Sequence, residues 1–188
     1  MTMKWGRITW LLLTLSGVLF ACNGMENSEP LEELPAQKIY EQAEILLKNN
    51  LNREASDLFA KIERLYPYSK LAKQSLIMSA VANHQGGFYV QCREDSRRFL
   101  DFYPADKNAA RAQYLIALSF YDQIDNVSRD QSVTFEAIQA FRNVIERYPN
   151  SEYASPALLK FDLSLDHLAG KEMEIGRYYQ KRGHFGAA

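Results

Sequence analysis

Apolar residues recur at intervals of three and four along most of the chain after Pro35. The first two runs contain Ile39, Tyr40, Ala43, Leu46 and Leu47, and then Ala55, Leu58, Phe59, Ile62 and Leu65. This spacing places apolar side chains on one face of an α-helix, whereas no stretch alternates with period two for long enough to indicate a β-strand. The pattern therefore predicts an all-α fold for residues 35–188.

Three of the predicted helices end alike, with an aromatic residue followed by proline. The three endings are Tyr66-Pro67, Tyr103-Pro104 and Tyr148-Pro149, and the prolines are 37 and 45 residues apart. Proline cannot continue a helix, so each helix should end at the aromatic residue. Both spacings exceed the roughly 34 residues of a tetratricopeptide repeat, which predicts a small insertion in each unit.

The repeat also predicts where helices touch. Small residues stand twelve positions before each proline: Ala55, Cys92 and Ala137. A small residue lets two helices approach closely, so we expect Cys92 to be a packing residue rather than a redox or catalytic group.

Turns and caps can be placed from the same repeat. Ser69 and Ser151 follow two of the prolines, and each is expected to cap the helix after it. Gly86-Gly87 predicts the tight turn between the two helices of one unit.

A fourth unit begins after Pro149. The tetratricopeptide positions Gly, Tyr, Gly, aromatic and Ala are filled in order by Gly176, Tyr179, Gly183, Phe185 and Ala188. We therefore expect residues 35–188 to form three complete tetratricopeptide repeats and a truncated fourth, as a superhelix of paired antiparallel helices with a concave groove. A single helix cannot bury its apolar face alone, so the last one should be frayed or completed by further residues.

Residues 1–21 are organised as a bacterial signal peptide. Lys4 and Arg7 precede an apolar run of about 13 residues, shorter than the roughly 20 that span a membrane as a helix. The run ends in Leu19-Phe20-Ala21-Cys22, which resembles the lipobox of bacterial lipoproteins except that Phe20 stands where a smaller residue is usual. The alternative is an ordinary signal peptide with a chance cysteine near its end.

The lipobox resemblance implies that Cys22 is lipidated and becomes the new N-terminus. Residues 22–34 would then form a flexible tether, because most of them are polar or acidic. Asn23 is not the aspartate that retains such lipoproteins in the inner membrane, which favours an outer-membrane location facing the periplasm.

Charge and motifs exclude several classes of function. Without Lys4 and Arg7 the chain has 20 positive and 23 negative residues, a mild balance that argues against a nucleic-acid partner. The three histidines are far apart, no metal-ligand spacing occurs, and no Gly-rich loop resembles a phosphate site. The sequence thus predicts no catalytic residues, no metal and no cofactor.

Three strings are more specific than generic repeats. They are the lipobox with its short tether into IYEQA at 39–43, then YDQI at 121–124 followed by SRDQS at 128–132, and LAGKEMEIGRYYQKRG at 168–183. These strings resemble the BamD (formerly ComL, or YfiO-type) family of outer-membrane β-barrel assembly lipoproteins, over essentially the whole chain. The family continues with further repeats, which carry much of its docking onto the barrel-forming partner BamA.

The resemblance implies a non-enzymatic scaffold that helps to recognise unfolded outer-membrane β-barrel proteins and insert them. The N-terminal repeats of the family are linked to binding the C-terminal β-strand signals of these substrates. For that contact we expect Tyr40, Tyr66, Arg98 and Tyr114. For docking onto a BamA-type subunit and other Bam lipoproteins we expect Arg129, Asp130, Tyr178, Tyr179 and Arg182.

Alternatives remain for several of these assignments. Arg129 and Asp130 could instead be a local pair that orders its own loop. At least half of the tyrosines on the inner helices should pack between helices; these are Tyr40, Tyr114, Tyr121, Tyr178 and Tyr179.

Two other functions compete with the assembly role. One is a cell-envelope tetratricopeptide protein associated with the Tol-Pal division machinery or with peptidoglycan, although such proteins usually carry a coiled coil before the repeats, where this chain has only a short tether. The other is a periplasmic enzyme with accessory repeats, which would need a catalytic segment that the sequence does not contain.

Overall fold

The computed structural model describes residues 34–124 and 131–188, and the predictions for residues 1–33, for Cys22 and for Arg129-Asp130 lie outside this part of the chain. Within it, the chain forms α-helices and no strand, which confirms the all-α prediction. The helices are α1 (Ala36–Lys48), α2 (Asn52–Leu65), α3 (Lys70–Gln85), α4 (Tyr89–Phe102), α5 (Ala109–Tyr121), α6 (Ser132–Arg147) and α7 (Ala154–Lys181). None of the described helices is both long and apolar enough to cross a membrane.

The helices pack in consecutive pairs, as tetratricopeptide units do. The pairs are α1 with α2, α3 with α4, and α5 with α6, and each second helix also packs against the first helix of the next unit. The first helices touch one another along the series α1, α3, α5 and α7, whereas α2, α4 and α6 do not contact each other's backbone. The stack therefore curves with its first helices on the inner side, which we call the inner wall.

The aromatic-proline endings share one backbone geometry. The final residues of α2, α4 and α6 are followed by Tyr66, Tyr103 and Tyr148, with φ near −130° and ψ of 54°, 54° and 51°. Each tyrosine N–H still bonds to a carbonyl of its helix, but the proline after it disfavours a further helical residue. The predicted helix ends are confirmed.

The first helices of the units end in a different motif. A residue with positive φ follows the last turn of α1, α3 and α7: Asn50 at 59°, Gly87 at 76° and Gly183 at 76°. The N–H of the next residue then bonds back to the fifth carbonyl before it, at 2.8–3.0 Å, which defines the Schellman ending. This confirms the Gly86-Gly87 turn, and α7 ends in the manner of a first helix.

One of the two serine caps is confirmed and the other is wrong. The Ser69 hydroxyl accepts a 3.2 Å hydrogen bond from the N–H of Leu71 and caps α3. Ser151 instead donates a 2.8 Å hydrogen bond to the carbonyl of Tyr148, because α7 begins only at Ala154. Its side chain thus closes the turn after α6 rather than capping a helix.

The small residues that the repeat predicts at helix contacts are fully buried. Ala55, Cys92 and Ala137 have no exposed surface, and Phe59, Phe99 and Phe141 are equally buried one or two turns away on the same helices. Burial raises the pKa of the Cys92 thiol to about 12, so the thiol stays protonated. Cys92 is therefore the packing residue that the repeat predicts.

The last helix is buried along only part of its length. Of α7, Ala157 and Ser164 are the buried residues, and none beyond Ser164 is buried. The helix nevertheless continues to Lys181. Its exposed large apolar residues are Leu158, Leu159, Leu163, Leu165, Met173, Ile175, Tyr178 and Tyr179.

Candidate binding surface on the inner wall

The inner wall gathers aromatic and polar side chains from successive units. Tyr40 comes from α1, Gln74 from α3, and Arg111 with Tyr114 from α5, where a spacing of three residues places both on one helix face. Tyr153 joins them from the turn before α7. The surface thus draws on all four units.

Tyr40 is held in place by packing. Its side chain is only 5% exposed, and its ring meets Phe59 of α2 edge-on with 5.3 Å between centroids. Burial, followed by the negative charge of Glu44, raises the pKa of the Tyr40 hydroxyl, while a hydrogen-bonding interaction with Gln74 and the positive charge of Arg111 act against this shift. Tyr40 is thus a rigid, neutral hydroxyl on the inner wall.

Tyr114 and Tyr153 form a second aromatic group. Their rings lie 5.3 Å apart, and Tyr114 also packs 6.1 Å from Phe141 of α6. Burial raises the pKa of both hydroxyls, and the charge of Arg111 lowers that of Tyr153. Both residues are half-buried, so each keeps some accessible surface.

Arg111 is close enough to two of these tyrosines to act on them electrostatically. Its charge acts on the hydroxyls of both Tyr40 and Tyr153, which belong to different units. Among the described residues it makes no ion pair, and its side chain is half-buried. A guanidinium without a carboxylate partner retains its hydrogen-bonding fork for an external carboxylate or carbonyl.

The structure separates the four residues predicted for substrate contact. Tyr40 and Tyr114 lie on the inner wall, as part of one surface. Arg98 lies on the opposite side, where its guanidinium pairs with Glu63 of α2 at 2.5 Å and with Asp95 at 3.7 Å. Tyr66 follows the end of α2 and is half-buried there.

Sequence reasoning missed three members of this surface. Arg111 could have been found from its spacing to Tyr114 on the same predicted helix. Gln74 occupies an exposed position of α3 without any motif around it, and Tyr153 comes from a turn, so periodicity indicated neither. Tyr40, Tyr114 and Tyr121 contact Phe59 or Phe141, which confirms that at least half of the inner tyrosines pack between helices.

The residues predicted for docking lie together where the structure describes them. Tyr178 and Tyr179 are 50% and 37% exposed at the end of α7, with their rings 5.4 Å apart. The guanidinium of Arg182 sits 4.4 Å from the centre of the Tyr178 ring. An exposed aromatic pair stacked with arginine has the composition of protein-binding hot spots.

Paired helices in a curved stack, with aromatic and cationic side chains on the inner side, define the chain as a helical-repeat protein of the tetratricopeptide type. The sequence profile of the outer membrane lipoprotein family YfiO matches residues 32–188. The chain belongs to this family, the BamD family, which confirms the resemblance of its sequence strings.

Relatives of this family match nearly the whole chain. The outer membrane protein assembly factor BamD of Caulobacter vibrioides is 41% identical over 184 residues, covering 94% of this chain and 60% of the relative. That of Rickettsia prowazekii is 36% identical, covering 96% of this chain and 71% of the relative. That of Neisseria gonorrhoeae is 30% identical, covering 95% and 72%. The chain thus spans less than two thirds of the length of the Caulobacter relative.

Proposed function

We propose that this protein is a non-enzymatic scaffold of β-barrel assembly in the outer membrane, and that its inner wall binds unfolded segments of barrel proteins. Family membership supports the assembly role, because the similar proteins are named outer membrane protein assembly factors. The observation that carries the site is Arg111, which forms no ion pair with a described residue and acts electrostatically on tyrosines of two other units.

The chemistry of the inner wall suits an extended polypeptide. Tyrosines combine a large apolar area with a hydrogen-bonding tip, and they lose little conformational entropy on binding because they are already packed. The aromatic pair Tyr114 and Tyr153 offers its edges to apolar side chains, while Arg111 offers donors to a carboxylate or to main-chain carbonyls. Together these groups match a β-strand segment rich in aromatics.

Photo-crosslinking in living cells tests this function. A photoreactive phenylalanine derivative replacing Gln74, which is exposed on the inner wall, should trap precursors of outer-membrane barrel proteins. The same derivative replacing Ala60, exposed on α2, is the control and should not trap them. Recovery of Tol-Pal components alone from the Gln74 position would refute the proposal.

The membrane attachment is a second part of the proposal. Cys22, which follows Leu19-Phe20-Ala21, would carry the lipid and hold the protein at the periplasmic face of the outer membrane. Three acyl chains on one residue give stable anchoring, whereas one chain binds only marginally. Cys22→Ala should therefore release a soluble periplasmic protein. Mass spectrometry of the wild type should detect an acylated N-terminal peptide, and an uncleaved Met1 would contradict this.

Docking onto the barrel-forming subunit is the third part. The exposed group of Tyr178, Tyr179 and Arg182 would provide one contact, and Arg129 with Asp130 another. Tyr178→Ala should reduce co-purification with the barrel-forming subunit, whereas Tyr68→Ala, a fully exposed tyrosine far from α7 in the sequence, should not. Equal recovery from both variants would exclude the tyrosine pair from the interface.

A further inference from the structure

One face of α7 combines charged and apolar residues in a symmetric order. Six of its residues follow one another at intervals of four, four, three, four and four positions. Because successive helical residues turn by about 100°, these six fall within an arc of about 100°. We call them the outer stripe: Asp162, Asp166, Gly170, Met173, Arg177 and Lys181. The buried residues Ala157 and Ser164 lie on the opposite side of α7, so the stripe is turned away from α5 and α6.

The two halves of the outer stripe carry opposite charges. Asp162 and Asp166 occupy the half nearer the N-terminus of α7, and Arg177 and Lys181 occupy the other half. All four are exposed, and none forms an ion pair with a described residue. Like charges four positions apart on one helix repel each other and destabilise the helix slightly. The order of charges therefore brings no benefit within α7, whereas a surface with the reverse order would be attracted to both halves.

Apolar side chains accompany these charges. Leu159, Leu163 and Met173 fall within the same arc and are 63%, 40% and 57% exposed. Large apolar residues that share one exposed face, with charged residues beside them, have the composition of a protein-binding surface. The outer stripe thus has both the apolar area and the charges of an interface.

We propose that the outer stripe binds a second copy of this chain, with the two α7 helices antiparallel. The two-fold axis passes through the centre of the stripe, between residues 171 and 172, so residues equally far from this point face each other. Asp166 of one copy then faces Arg177 of the other, and Asp162 faces Lys181. The symmetry repeats each contact, which gives four ion pairs across the interface.

The uncharged residues fit the same axis. Met173 of one copy faces Gly170 of the other, so a long apolar side chain meets a position without one. Leu159 and Leu163 lie beside Asp162 and would be covered by the aliphatic stem of Lys181 from the other copy. A parallel pair would instead bring like charges together along the whole stripe, which is unfavourable. Charge therefore selects the antiparallel arrangement.

This pairing is separate from the proposed docking onto the barrel-forming subunit. Tyr178, Tyr179 and Arg182 fall outside the arc of the outer stripe, because each lies more than 100° from its centre around the helix. Tyr178→Ala, which should weaken that docking, should therefore leave the pairing of two copies unchanged. The two proposals can fail independently of each other.

Sedimentation equilibrium tests the proposal. The purified full chain, in a detergent matched to the density of the solvent, should reach twice its monomer mass above about 10 µM, and added salt should weaken the dimer. A chain that remains monomeric up to about 100 µM would overturn the proposal and leave the outer stripe to a different polypeptide.

Charge reversal tests the position of the axis. Asp166→Arg brings two arginines together in both symmetric contacts and should weaken the dimer at least about tenfold, and Arg177→Asp should do the same. The double variant restores opposite charges only in the antiparallel arrangement, and its dissociation constant should return to within about threefold of the wild type. If the two changes weaken the dimer additively, the proposed pairing is wrong.

Asp57→Arg is the matched control, because it reverses one exposed charge on α2, outside the outer stripe. It should leave the dissociation constant unchanged. Circular dichroism should find all of these variants folded, since every substituted residue is exposed. A dimer that responds equally to Asp166→Arg and Asp57→Arg would use another surface, which would also overturn the proposal.

Discussion

The hydroxyl of Ser79 on α3 donates a 2.6 Å hydrogen bond to the carboxylate of Asp95 on α4. Asn83 and Arg98 also approach this carboxylate, at 3.0 Å and 3.7 Å. Burial nevertheless dominates and raises the pKa of Asp95 above its usual range, against the effect of these partners. The carboxylate thus links α3 and α4, although burial destabilises its ionised form.

Asp95→Asn should make the protein more stable at pH 7. Burial raises the pKa of Asp95 in the folded state. At pH values between the pKa of the unfolded state and that of the folded state, the native protein therefore binds more protons than the unfolded chain. The free energy of unfolding thus falls as the pH rises through this range. Asparagine keeps the size and one acceptor oxygen for Ser79 and Asn83, and it has no charge to desolvate, although it loses the second oxygen that faces Arg98. Urea denaturation at pH 7 and near pH 4 should show the advantage of the variant shrinking as the pH falls.

Asp57→Asn, at an exposed position of α2, is the control for the effect of charge removal. It should change stability little at either pH. An Asp95→Asn protein that is less stable than wild type at pH 7 would show that the ion pair with Arg98 outweighs desolvation.

Enlarging a small contact residue should destabilise the repeat. Ala137 has no exposed surface in α6, so Ala137→Leu must displace neighbours and should cost about 1–3 kcal/mol in the free energy of unfolding. Ala60→Leu on the exposed face of α2 should stay within about 0.5 kcal/mol of wild type. Chemical denaturation measures both, and equal stabilities would contradict the close approach at Ala137.

The Cys92 thiol should be inert in the folded protein. Its pKa is raised to about 12 by burial, so almost no reactive thiolate exists at pH 8. In a chain carrying Cys22→Ser, iodoacetamide should leave Cys92 unmodified under native conditions and alkylate it after unfolding in urea, as read by mass spectrometry. Rapid alkylation of the native protein would show that the thiol is accessible.

The turn after α3 should depend on glycine. Gly87 has a φ of 76°, and although a methyl group there would meet no neighbouring atom, an L-residue is strained in this conformation. Gly87→Ala should therefore cost about 1 kcal/mol in the free energy of unfolding. Asn50→Gly, at the equivalent turn with a φ of 59°, should be neutral or slightly stabilising.

Gly186→Ala provides the control for Gly87→Ala, because Gly186 also has open space around it but no positive φ. Urea denaturation should find this variant unchanged. A Gly87→Ala protein as stable as Gly186→Ala would mean that the turn relaxes to another backbone conformation.

Much of the fold followed from local patterns. The helices, their aromatic-proline endings and the burial of Cys92 could all be predicted, because helix formation depends on residues within four positions of each other and on prolines that stop it. Ser151 was predicted wrongly as a cap, since a serine after a proline closes a turn equally well when the helix starts three residues later.

The candidate site was predicted only in part. Tyr40 and Tyr114 were found because they are aromatic and lie on first helices. Arg98 has suitable chemistry, but its partner is Glu63, 35 residues away, and this contact places it on the other side of the stack.

The sequence by itself therefore determined the helices, the repeat and the family, because each depends on short-range spacing or on ordered strings of residues. Only the tertiary structure decided which side chains meet across units. Arg111 acts on tyrosines of two other units, and Arg98 of α4 pairs with Glu63 of α2. These relationships depend on how units 37 and 45 residues apart in the sequence stack on one another. That stacking results from contacts between residues far apart in the sequence, which a local sequence pattern does not encode.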